Sequence, residues 1–128
     1  KVVVPVGEKY LVSGENKVEI DVPAYINAGG YTMLPLRAVS VALGINSNNV
    51  LWDQSTRTAT IMYGSKIISM TSGQKVVYVN AAPIPAATSV EIKDGRMFLG
   101  LRDLGNALGV TDITWDQATK TATLNGGK

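Results

Sequence analysis

The same phrase is written twice in this chain. LPLRAVSVALGINSNNVLWDQSTRTATI spans residues 34–61, and LGLRDLGNALGVTDITWDQATKTATL spans 99–124. Arg102 follows Arg37, and Gly109 follows Gly44, by 65 residues. Trp115 follows Trp52 by only 63, so two residues are missing from the second copy's loop between helix and tryptophan. A long internal period constrains architecture before any single residue does. It also argues against a catalytic reading, because matched positions share packing duties more readily than chemistry.

Each copy reads as hairpin, loop, helix, hairpin. In the first, Tyr10–Ser13 and 17–22 are strands around the turn 13–16, and 23–30 is a loop broken by Gly29 and Gly30. Leu36, Val39 and Leu43 share one helical face, as do Leu101, Leu104 and Leu108 in the second copy. Pro35 suits the helix start, while Gly44 and Gly109 suit left-handed residues just past the helix ends. Helices of about nine residues are unstable alone, so each must lie on a sheet. The strands TRTATI and TKTATL alternate with period two, one face buried and one wet. Residues 61–67 form a further hairpin, which joins the copies through continuous sheet. The expected fold class is α+β, with pseudo-repeats 1–64 and 65–128 in one compact unit, each an antiparallel sheet wrapped on one short helix.

Composition removes several functions. The 128 residues include no cysteine and no histidine, which excludes thiol nucleophiles, histidine triads, Cys/His zinc sites and an imidazole copper site. A net charge of +2 with scattered basic residues gives no track for nucleic acid. No apolar stretch reaches the roughly 20 residues that would insert into a membrane. Charged residues make up 17%, and Thr, Ser, Asn and Gly are abundant, a balance that leans towards an extracellular module. Lys1, with no methionine or signal-like segment before it, fits either a processed secreted protein or a trimmed piece.

Taken together, PLR-x-x-x-x-ALG, then WD, then T-x-T-A-T, after a Gly-x-Lys hairpin, resemble the copper amine oxidase N-terminal-like domain, or stalk domain. The resemblance covers 1–62 and again 66–124. It implies an accessory α+β module of secreted and surface proteins, largely of Gram-positive bacteria, remote from copper and quinone. No oxidase activity and no cofactor follow from it. The second copy departs at Gly100, where the first has Pro35, and at 81–87, which lacks the usual glycine turn.

The matched residues receive structural expectations. Trp52 and Trp115 should bury their rings against the helix of their own copy, in preference to stacking on sugars. Arg37 and Arg102 oppose the helix dipole in the first turn, so Asp53 and Asp116 should pair with them. Asp94, Asp103 and Asp112 lack the dense spacing of a calcium loop and read as surface charge. Outside the repeat, Val2, Val3, Val4 and Val6 are apolar on both faces. Pro5 suggests an edge, so either the fold or a neighbouring molecule should cover this strand. The leading expectation is a non-enzymatic extracellular structural module that self-associates through this strand into a fibre or surface layer. The alternative is a carbohydrate- or cell-wall-binding module using Tyr10, Tyr25, Tyr31, Tyr63 or Tyr78. Its partners are then other copies of itself or a cell-wall polymer.

Overall fold

The computed structural model describes residues 1–125; 126–128, the end of the second expected unit, lie outside the described residues. The chain is α+β, mostly antiparallel sheet with two short helices. In order come β1 (Val2–Pro5), β2 (Tyr10–Ser13), β3 (Asn16–Glu19), β4 (Tyr25–Ile26), β5 (Thr32–Pro35) and α1 (Leu36–Ala42). A 3₁₀ turn at Ser47–Asn49 leads to β6 (Val50–Asp53) and β7 (Thr58–Tyr63). Then follow β8 (Lys66–Thr71), β9 (Val76–Val79), β10 (Ala82–Pro85), β11 (Glu91–Lys93) and β12 (Arg96–Gly100). The last elements are α2 (Leu101–Leu108), β13 (Asp112–Asp116) and β14 (Thr121–Asn125).

Among the described residues strands pair in three sheets, ordered β13-β14-β1-β2-β3, β6-β7-β8-β9-β10 and β11-β12-β5-β4. Every sheet takes strands from both halves of the sequence. The expectation that each copy wraps its own sheet on its own helix is therefore corrected. The hairpin after each helix finds its neighbour in the opening strands of the other copy. β7 turns directly into β8 through Gly64 and Ser65, while β14 meets β1 with no covalent link between them. The registers correspond: Ile61↔Ile68 and Ala59↔Met70 in one sheet, Leu124↔Val2 and Ala122↔Val4 in the other.

That pairing settles where the N-terminal strand lies. β1 is flanked by β14 and β2, and Val2 and Val4 are 1% and 0% exposed. Val3, Pro5 and Val6 are half-buried. It is an interior strand, so Val2, Val3, Val4 and Val6 do not form the open edge that an assembly strand requires. Pro5 is accommodated because the ladder with β2 ends at Val3↔Val12, leaving no rung there for its missing N–H.

The helices present the expected faces. Leu36, Val39 and Leu43 are buried on one, and Leu101, Leu104 and Leu108 on the other. Gly44 and Gly109 have φ of 106° and 77°, a region that L side chains avoid. The main core gathers residues from all three sheets and both helices, while Val22, Met33 and Phe98 form a small second cluster with Tyr25 packed against it. The β9–β10 hairpin turns without glycine, through Asn80 and Ala81 at φ of 51° and 70°. Among the described residues no helix is long and apolar enough to cross a membrane.

Candidate functional site

A groove of about 780 Å³ opens beside α1 and β6, with one wall from the second half of the chain. Its walls are the end of β3 with the loop Ile20–Val22, the first turn of α1 behind Pro35, strand β6, and Gly95–Met97 at the start of β12. Leu36, Val50 and Ala59 supply apolar lining. Trp52, 41% exposed, stands in the wall with Leu51 beside it. This corrects the expectation that Trp52 buries its ring. Its strand position is core-facing, opposite buried Ala59, yet its ring lines the groove and does not join the core. Its Nε1–H donates to Gln54 Oε1 at 2.9 Å, which fixes the ring's orientation.

Polar groups ring the mouth. Arg96 binds Asp21 through two hydrogen bonds, Nε to Oδ1 at 3.2 Å and Nη2 to Oδ2, tying β12 to the loop after β3. The guanidinium donors beside Asp21 hold its carboxyl below the usual carboxylate range, although both side chains are more than half exposed. Such an exposed pair contributes little stability and is free to exchange partners. Glu19 completes the rim.

Arg37 also lines the groove, but not as a partner of Asp53. It donates to Ser47 O at 3.3 Å and Val50 O at 2.9 Å, clasping the 3₁₀ turn to α1. Asp53 spends its carboxylate on its own turn, accepting from Ser55 N at 3.0 Å and Ser55 Oγ at 2.7 Å. The Ser55 hydroxyl is the main reason its pKa is lowered. Asp116 likewise caps its turn, accepting from Ala118 N and Thr119 N. Arg102 is exposed and makes no hydrogen bond or ion pair among the described residues. The Ser47–Asn49 turn, which supplies one of Arg37's two acceptors, has no counterpart before β13 among the described residues. Both expected Arg–Asp pairs are therefore corrected; a carboxylate two residues from an amide it can cap is held there first.

The second half has matching strands and helix, with its loop clamped onto the helix. Gly100 and Asp103 stand where the first half has Pro35 and Ala38. Asp103, only 8% exposed, accepts from Ala87 N at 2.9 and 3.1 Å and from Thr88 N at 3.3 Å. Those two residues match Asp21 and Val22, as the paired bonds Ile20 N→Lys9 O with Ala86 N→Lys75 O, and Gly7 N→Ala24 O with Gly73 N→Val90 O, establish. A β-carbon on Gly100 would lie 3.0 Å from Thr88 Cγ2 and 3.1 Å from Asp103 Oδ2, so glycine permits the loop's close approach. Trp115 is half-buried, packs on the core and donates to Gln117 at 2.9 Å.

The other sequence candidates do not converge. Asp94 sits in a turn at φ of 51°, Asp103 clamps a loop, and Asp112 lies exposed on β13. Tyr25 packs edge-on against Phe98 at 4.9 Å and donates to Glu91; burial, then that carboxylate, raises its pKa. Asn27 joins Glu91 at 3.1 Å and Thr88 at 3.0 Å in the same network, which reads as a structural staple between two loops. Tyr10, Tyr31, Tyr63 and Tyr78 are not among the groove's lining residues.

A model of the copper amine oxidase N-terminal domain matches residues 3–125. The chain belongs to that family. The single match spans both copies of the repeated phrase. No curated protein matches the chain. In copper amine oxidases this N-terminal domain is accessory to the catalytic one. A copper centre does not fit the residues of this family member. It has no histidine or cysteine, and among the described residues no three carboxylates gather where they could hold a metal.

Proposed function

We propose that this chain is a non-enzymatic module of a secreted or cell-surface protein of a Gram-positive bacterium, and that it holds a cell-wall polymer in the groove beside Trp52. The two halves are, on this reading, tandem copies of one stalk-like unit whose hairpins exchanged partners, one of which kept an open groove. The observation that carries it is the combination of an uncovered indole with Arg96, Asp21 and Glu19 around an apolar floor. A flat aromatic face stacks on the apolar face of a sugar ring, and bidentate side chains read its hydroxyls. An elongated polymer suits an open groove better than a small metabolite, which favours enclosed pockets.

The competing reading, a fibre built by edge addition of the N-terminal strand, would need β1 to leave its place between β14 and β2. Retention on purified peptidoglycan and soluble polysaccharides is the test. Wild type should be retained, and Trp52→Ala should weaken retention about tenfold, the equivalent of one lost anchor. Trp115→Ala should leave the retention of folded protein unchanged. No retention on any polymer, or equal retention of Trp52→Ala, would overturn the reading.

A further inference from the structure

We propose that the open edge of β13 is a docking site for an extended basic peptide, which adds to the sheet as a sixth strand. The ladder geometry identifies which backbone groups are free. Val6 N donates to Lys120 O, so alternate residues of β14 face β1 and the intervening Thr121, Thr123 and Asn125 face β13. Their partners Asp116, Thr114 and Asp112 turn their N–H and C=O groups inwards. The groups of Ile113 and Trp115 are left pointing out of the sheet.

Other edges are shorter, proline-bearing, charged or, on β6, partly guarded, with Trp52 alone left facing out. On β6, the position matching Ile113 is Val50, whose N–H bonds Ser47 O and whose C=O accepts from Arg37. β10 carries Pro83 and Pro85, which cannot donate, and β3 carries Lys17 and Glu19. β4 and β11 have two and three residues. β13 has five, with no proline and no lysine. Among the described residues no 3₁₀ turn precedes β13 and Arg102 makes no bond to it, so neither group that covers Val50 has a counterpart at Ile113.

Charge selects the occupant. Asp112, Thr114 and Asp116 share the exposed face, so an antiparallel strand meets carboxylates at positions four apart. A second copy's β13 would place Asp112 against Asp116 twice, and like charges directly opposite are destabilising. A strand with lysine or arginine at both positions and a small β-branched residue between them is complementary. This mode takes its affinity from main-chain bonds and its specificity from alternate side chains.

The probe is a fluorescein-labelled peptide with a Lys-Val-Thr-Val-Lys core, titrated into the intact protein by anisotropy. Two controls accompany it: the same peptide N-methylated at both valines, and its Glu-Val-Thr-Val-Glu counterpart. The lysine peptide should bind and slow amide exchange at Ile113 and Trp115. N-methylation should weaken it about tenfold or more, through lost rungs. Asp112→Lys, at an exposed position, should weaken it about threefold. Equal binding of the N-methylated peptide, equal binding of the glutamate peptide, unchanged exchange at Ile113 and Trp115, or a dimer of the protein alone would overturn the proposal.

Discussion

The two halves of the molecule use the same parts to opposite ends. In the first, a groove opens beside Trp52 and Val50 on the adjoining edge is bonded; in the second, Asp103 clamps the matching loop and Ile113 on the edge is bare. Three local changes account for the contrast. Pro35 becomes Gly100, Ala38 becomes Asp103, and the Ser47–Asn49 turn has no counterpart. The buried leucines and valines of both helix faces are kept, so the same packing serves both versions. Surfaces can therefore diverge around a core that stays common, and differences between copies locate the functional candidates better than matches do.

The contrast can be broken most severely at the helix–hairpin contact. A β-carbon at Gly105 would fall 2.2 Å from Ile113 Cδ1 and 2.8 Å from Val110 O, the latter being backbone. Gly105→Ala should cost about 3 kcal/mol in a denaturant melt. The matched Ser40 is fully buried with its hydroxyl unpaired among the described residues, so Ser40→Ala should be neutral or stabilising. Similar losses at both positions would show that the halves pack alike.

Asp103→Ala should cost about 2 kcal/mol, because two part-buried loop hydrogen bonds lose their charged acceptor. It should also loosen the loop 86–88. An unchanged melting temperature would remove the clamp from the account. Arg37→Met should cost about 1 kcal/mol by releasing two carbonyls. Arg102→Met should cost nothing measurable. Equal effects would mean that the deletion did not free the second arginine.

The smallest effect is at the groove's rim. The pKa of Asp21 is depressed below its ordinary 3.8, chiefly by the hydrogen bond from Arg96. Its contribution is full above the ordinary value and fades as pH falls through the lowered one. Between about pH 5 and about pH 2, Asp21→Asn should lose slightly less melting temperature than wild type. An identical pH profile would show the latch to be thermally silent.

Much of the fold was legible because it is local. Helical spacing located both apolar helix faces, alternation located the hairpin strands, and glycine placement located the helix ends. The pairing of β7 with β8 was legible in the 61–67 hairpin, but that of β14 with β1 was not, since it depends on long-range register that no short window carries. The N-terminal strand was misread for the same reason: its place between β14 and β2 rests on pairing between the two ends of the chain. The arginine and aspartate positions were noticed, but their pairing was wrong, as each aspartate is captured by an amide two residues on. Asp103 read as surface charge although it is buried. Its signal was present in the sequence, as a charged residue replacing alanine inside an otherwise faithful copy.

Site-resolved amide exchange on the free protein tests the asymmetry most directly. Val50 N–H, bonded to Ser47 O, and the amides of Ala87 and Thr88, held by Asp103, should exchange slowly. Those of Ile113 and Trp115 should exchange at rates near an open edge. Protection of Ile113 equal to that of Val50, or free exchange at Ala87 and Thr88, would contradict the division between the halves.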